Sequence, residues 1–117
     1  MKETEIQSAI IDYLQILENQ NKLFFVRLNN IPPVTKLPNG KMLFRRMPKG
    51  TKKGLADILL IIKGQAIFLE VKSESGYLRT EQKQFQELCK RNSTLYFVVR
   101  SVIEVENIIK TYAEVYH

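Results

Sequence analysis

Two short aliphatic runs constrain this chain more than any other feature. Residues 56–62 (Ala-Asp-Ile-Leu-Leu-Ile-Ile) and 66–72 (Ala-Ile-Phe-Leu-Glu-Val-Lys) lie three residues apart. Both are too short for a buried helix and rich in branched side chains, so they read as strands. A two-residue turn at Lys63-Gly64, with glycine supplying positive φ, joins them as an antiparallel hairpin. Ile62 then faces Gln65, Ile61 faces Ala66 and, counting back, Asp57 faces Glu70. Opposed side chains on one sheet face have Cβ atoms about 4.5–5.5 Å apart, and like charges there are destabilising. Two carboxylates opposed at the end of an otherwise apolar hairpin call for a cation. Lys72, two residues past Glu70, shares that face and supplies one positive charge; a divalent metal would supply the rest.

The hairpin sits inside a mixed pattern. Ile6, Ala9, Ile10, Tyr13, Leu14 and Leu17 recur at helical spacing, predicting an amphipathic helix over 4–19 with a Thr4–Gln7 capping box. Residues 23–29 alternate as a strand, with Phe24, Val26 and Leu28 on one face and Phe25, Arg27 and Asn29 on the other. Turn residues then crowd the chain (Pro32, Pro33, Pro38, Asn39-Gly40, Pro48, Gly50, Gly54), predicting a long loop. A short hairpin arm about Asn39-Gly40 is expected within it, between Val34–Lys36 and Met42–Phe44. After a polar turn around Gly76, a helix is expected from an N-cap at Thr80 to about Arg91, with Phe85, Leu88 and Cys89 inward. Leu95–Arg100 is a further strand, and Ser101 with Glu104 caps a final helix carrying Val105, Ile108, Ile109 and Tyr112. The order α, three strands, α, β, α, with a helical crossover before the last strand, predicts one α/β domain: a four-stranded mixed sheet flanked by helices.

Composition narrows the chemistry. A chain of 117 residues, 44% apolar, supports one core. Ile58–Ile62 is far too short to cross a bilayer, and Lys2, Glu3 and Glu5 do not begin a signal peptide. A single cysteine, Cys89, forms no internal disulfide and suits a reducing cytoplasm. With His117 the only histidine, zinc chemistry and a histidine-based triad are both disfavoured. The net charge of +6 is localised: from Asn30 to Ala56 there are seven basic residues (Lys36, Lys41, Arg45, Arg46, Lys49, Lys52, Lys53) and no acidic one. Such a block favours a polyanion, most simply nucleic acid, over a merely solubilising loop.

Asp57 and Glu70 offer hard oxygen ligands suited to Mg²⁺ or Mn²⁺, and Lys72 stands where it can orient or deprotonate a water. The implied reaction is phosphodiester hydrolysis. Taken pairwise, the same residues also read as strand-end acids with an ordinary Glu70–Lys72 salt bridge. Gln82 precedes Phe85 and Cys89 by three and seven positions, placing an amide on the buried stripe of its helix; satisfaction by backbone is the alternative to a site partner. Glu5 equally suits a first-turn acid favoured by the helix dipole, and Asp12 shares its face. Arg27 and Asn29 share a strand face beside the basic loop, where a phosphate contact and simple exposure are both open. Phe44 and Met47 either wedge or stack against a partner or pack beneath the loop.

Gly54-x-x-Asp57, Glu70-x-Lys72, Gly76-x-Leu78 and Glu81-Gln82, with Arg27-x-Asn29 upstream and Glu5 in the first helix, resemble the VRR-NUC domain, a branch of the PD-(D/E)xK nuclease superfamily. The resemblance runs over nearly the whole chain and implies a restriction-endonuclease-like core. It implies Asp57 and Glu70 as metal ligands, joined by Glu5 and the Val71 main-chain carbonyl, with Lys72 catalytic and Gln82 supporting. Ala56 departs from the proline usual before the aspartate, and Arg79 from a small hydroxyl residue. Arg27, Asn29, Lys41, Arg45, Arg46, Lys49, Lys52 and Lys53 are then expected to hold DNA backbone. Minimal members of the family imply a metal-dependent endonuclease in a bacterial or phage-infected cell, a homodimer cutting branched DNA such as a four-way junction, whose two-fold symmetry a dimer would match. The alternatives are a non-catalytic nucleic-acid-binding module and a nicking endonuclease acting on linear duplex.

Overall fold

A computed structural model of the chain describes residues 1–28, 34–44 and 46–114. The central hairpin forms as expected. Strand β4 (Ile58–Ile62) pairs antiparallel with β5 (Gln65–Val71), Ile62 opposite Gln65 and Ile61 opposite Ala66. The turn has φ of 53° at Lys63 and 77° at Gly64, the double positive-φ geometry whose twist matches the flanking strands. Edge strand β1 (Phe24–Arg27) pairs antiparallel with β4, and β6 (Leu95–Val99) pairs parallel with β5. The result is a four-stranded mixed sheet in the order β1-β4-β5-β6. Between β1 and β4 lies a separate two-stranded arm, β2 (Val34–Lys36) with β3 (Met42–Phe44), at the residues the Asn39-Gly40 signal marked.

Helices α1 (Glu3–Asn19) and α3 (Val102–Ala113) cover one face of the sheet. Ile6, Ile10 and Leu14 of α1 and Val105 and Ile109 of α3 close over Ile58, Leu60, Ile62, Ile67, Leu69, Val71 and Val99. Helix α2 (Thr80–Arg91) covers only part of the other face, where Phe85 and Cys89 pack with Ala56, Phe68 and Tyr96. Phe85 meets Phe68 edge-on at 5.1 Å and Tyr96 at 6.0 Å between ring centroids. No helix among the described residues is long and apolar enough to cross a membrane.

Two local expectations are corrected, and the covered face of β1 is fixed. α1 begins at Glu3 without a Thr4–Gln7 capping box; the Lys2 carbonyl accepts from the Glu5 and Ile6 N–H groups instead. The cap of α2 is Arg79 rather than Thr80, because the Gln82 side chain accepts from the Arg79 N–H at 2.8 Å and so fixes the cap three residues before itself. In β1 the wholly apolar positions are the exposed ones: Phe24 is 51% exposed and Val26 is exposed beside it, while Phe25 packs on the core. Ser101 caps α3 as expected, accepting from the Glu104 N–H at 3.2 Å. Asn29 and Arg45, both expected to touch DNA, lie outside the described residues.

Candidate active site

Chain direction gathers the site at one end of the sheet. β1 and β5 end there, β4 begins there, and α2 and α3 start from the ends of β5 and β6. A cavity of about 280 Å³ lined by Met1, Ile6, Ala9, Glu74, Arg100, Ser101 and Val102 shows that the starts of α1 and α3 are neighbours. All three helix N-termini therefore point to the end that holds Asp57 and Glu70. Each contributes a partial positive charge there, offset in part by Glu3 and Glu5, Glu81 and Glu104 in the first turns.

Asp57 leaves the regular ladder. Its N–H donates to the Leu69 carbonyl at 3.1 Å, and its Oδ2 accepts from the Val71 N–H at 2.8 Å. That second bond makes the carboxylate a substitute for the missing strand acceptor and orients it toward Glu70. Glu70 is 1% exposed. Its Oε1 accepts from Gln82 Nε2 at 3.0 Å and stands 3.9 Å from Lys72 Nζ, whereas the buried Oε2 has no partner. Burial first, and then the Asp57 charge, raise the Glu70 carboxyl from 4.5 to about 8; Lys72 pulls the other way, and the Glu3 charge adds to the rise. Lys72 is itself 5% exposed, its N–H bonded to the Val99 carbonyl at 3.0 Å.

Two further devices hold this arrangement. Gly54 adopts φ of 70° against the first turn of α2, where a Cβ would overlap the Glu81 carbonyl and crowd the Gln82 nitrogen. The Gly54-x-x-Asp57 spacing thus ties the start of β4 to the helix that carries Gln82. Arg100, which sequence reasoning passed over, uses one guanidinium nitrogen to donate to the carbonyls of Ser73 and of Gly76, the latter at 2.8 Å. It braces the turn immediately after Lys72. Its acceptors are backbone atoms, so no residue pattern announces it.

The expected residues assemble unevenly. Asp57, Glu70, Lys72, Gln82 and Val71 come together. Glu5 does not: it is exposed, and the α1 acid whose charge reaches Glu70 is Glu3. Successive helical residues turn by about 100°, so Glu3 falls on the inward stripe three and seven places before Ile6 and Ile10, and Glu5 lies well round from it. Arg27 stands at the end of β1, paired with Ile58 beside Asp57. With Thr4, Gln7, Ser8 and Ile11 of α1 it lines a cavity of about 110 Å³. Lys41, Arg46, Lys49, Lys52 and Lys53 are all exposed, and among the described residues none of their side chains is paired with a carboxylate. Tyr96 lies under α2 with a buried hydroxyl that has no partner; burial and the charge of Glu70 raise it well above the ordinary phenol value.

A metal ion at this end of the sheet would draw on few side chains. Among the described residues no three His, Cys, Asp or Glu side chains converge on one point, so the side-chain ligands reduce to the Asp57–Glu70 pair. Magnesium is commonly held by one or two carboxylates, with waters and substrate phosphate completing its shell. A carboxylate pair with one buried, unpartnered oxygen fits that requirement. No protein family, curated protein or solved structure matches the chain.

Proposed function

We propose that this chain is a Mg²⁺- or Mn²⁺-dependent nuclease that hydrolyses DNA phosphodiesters. The observation that carries the reading is Glu70: a carboxylate buried to 1% exposure, with one oxygen fixed by Gln82, the other unpartnered, and Asp57 and Lys72 beside it. Burying like charges without a counter-ion is costly, and a fold keeps such a group where it has work to do.

A divalent ion bound by the pair would polarise the phosphate and activate water at neutral pH. The chain's own residues do the rest. The Val71 N–H orients Asp57, Gln82 orients Glu70, and Gly54 and Arg100 hold the two segments that carry them. Lys72 Nζ, anchored beside Glu70, donates to a phosphate oxygen or to the attacking water. Three helix N-termini and the unpaired lysines and arginines supply a field that draws a polyanion to this end of the sheet. Selectivity would rest on DNA shape, with branched DNA the preferred substrate and a homodimer the working form. The motif resemblance to VRR-NUC nucleases supports this reading.

The test is cleavage of four-way junction, flap, single-stranded and linear duplex DNA with Mg²⁺ or Mn²⁺. Metal-dependent cleavage is expected from the native chain, falling to background in Asp57→Ala and Lys72→Ala. Absence of cleavage on every substrate refutes the enzyme and leaves a binding module. Uniform cutting of linear duplex refutes the branched preference, and paired cuts by a species monomeric in light scattering refute the dimer.

A further inference from the structure

The β2–β3 arm is the least explained part of the molecule. Among the described elements its strands pack on each other and on nothing else. An isolated two-stranded hairpin is marginal in water, and a soluble one is expected to be polar. This one is not. Val34, Met42, Leu43 and Phe44 are all exposed, Phe44 to 74%. The register sets Val34 opposite Phe44 and Lys36 opposite Met42, so a single face of the ribbon carries Phe44, Val34, Met42 and a lysine. The turn is built, not slack: Leu37 N–H donates to the Lys41 carbonyl at 2.8 Å, and Asn39 Oδ1 accepts from the Lys41 N–H at 3.0 Å.

Charge selects the occupant. Lys36 and Lys41 are on the arm, Arg46 and Lys49 follow it, and no acidic residue occurs from Asn30 to Ala56. Two arms brought together would set lysine against lysine, whereas a polyanion complements every charge in the segment. Phosphates alone leave the apolar side chains without a partner. Bases supply one, because each offers a flat apolar face. In continuous duplex those faces are stacked out of reach; at a branch point, a flap or a single-stranded end they are open.

We propose that the arm is a nucleic-acid probe in which Phe44 stacks on a base exposed where the helix is interrupted, while Lys36 and Lys41 hold the flanking phosphates. This rests on the reading of the partner as nucleic acid and gives the chain a means of distinguishing branched from linear DNA.

The test is equilibrium binding in a Lys72→Ala background without divalent metal. The probes are a four-way junction carrying 2-aminopurine at its branch point and a linear duplex of equal length. Phe44→Ala is expected to weaken junction binding roughly 10- to 100-fold, the range set by loss of one stacked base, and duplex binding less than twofold. The slope of affinity against salt should not change, and the quenching of 2-aminopurine should disappear; Phe44→Trp should retain both affinity and quenching. Because Phe44 is largely exposed and its strand packs on no other described element beyond its hairpin partner, circular dichroism should show both variants folded. Equal weakening of junction and duplex overturns the proposal, as does no weakening of either. So does a loss of binding that accompanies a shift from dimer to monomer in light scattering, which would make the arm an interface between copies. Binding is read without cleavage, so a chain that discriminates the junction through Phe44 but never cuts it retires the nuclease and keeps the probe. One that cuts junctions regardless of Phe44 does the reverse.

Discussion

Glu70→Gln separates the electrostatics of the site from its packing. In the native chain the Glu70 carboxyl is raised from 4.5 to about 8, chiefly by burial and next by Asp57. A group whose acidity is weakened by folding stabilises the folded state when protonated. Its contribution is therefore complete below pH 4.5, declines as pH rises through the interval to about 8, and is gone above it. At 1.36 kcal/mol per pH unit that interval sets a ceiling of about 5 kcal/mol on the loss. Relaxation and water entry, with Lys72 at 3.9 Å, bring the expected figure to about 2–3 kcal/mol. Glutamine preserves the shape, still accepts from Gln82 Nε2 and offers an amide hydrogen toward Asp57, so nothing buried is newly orphaned. Urea unfolding in chelator should place the two chains within about 1 kcal/mol of each other at pH 4.5. At pH 8.5 the Gln variant should lead by about 2–3 kcal/mol, on the order of 10 °C in Tm. Millimolar Mg²⁺ or Mn²⁺ at pH 8.5 should raise the native chain and leave the variant unmoved, since a ligand stabilises only a state that binds it. Parallel pH profiles for the two chains would refute the reasoning, and so would equal stabilisation of both by metal.

Three other substitutions test the supports of the site. Gly54→Ala combines a positive φ with a Cβ placed on the Glu81 carbonyl, and should cost more than 2 kcal/mol in urea unfolding and lower any cleavage rate by displacing Gln82; native stability in this variant would disprove the close approach. Lys63→Asn, at a φ of 53° in the hairpin turn, should gain about 0.5–1 kcal/mol, and a destabilised variant would show that the lysine has a role beyond the turn. Tyr96→Phe removes a buried hydroxyl that has no partner, so stability should hold or rise by up to about 1 kcal/mol; a loss of that size would reveal a bridging water.

The nearness of Asp57 to Glu70 was legible in the sequence because two-residue turns admit one register and strand side chains alternate with period two, even though the regular pairing stops at Ile58 opposite Leu69. Counting back from Lys63-Gly64 locates both carboxylates without further knowledge, and Gln82 follows from its place on the inward stripe of α2. The arm was legible for the same reason, since Asn39-Gly40 marks its turn. Phase misled where two assignments fit one pattern. Glu3 and Glu5 both lie in the first turn of α1, and a motif resemblance favoured Glu5, yet only Glu3 continues the stripe of Ile6, Ile10 and Leu14. In β1, alternation separates Phe24 and Val26 from Phe25 but cannot say which set is covered. That depends on α2, whose 12 residues span about 18 Å and lie along β6, reaching β5 through Phe85 on Phe68 and leaving β1 bare on that face. Arg100 was beyond reach altogether, because carbonyl acceptors leave no mark on residue identity. The same logic turns the exposed apolar residues into a question of function. Phe44 and Phe24 are exposed for different reasons: one stands on an arm that packs on no other described element, the other on a sheet margin a short helix fails to reach. Only the first is embedded in uninterrupted positive charge, so only the first points to a polyanion with open base faces rather than to another protein surface.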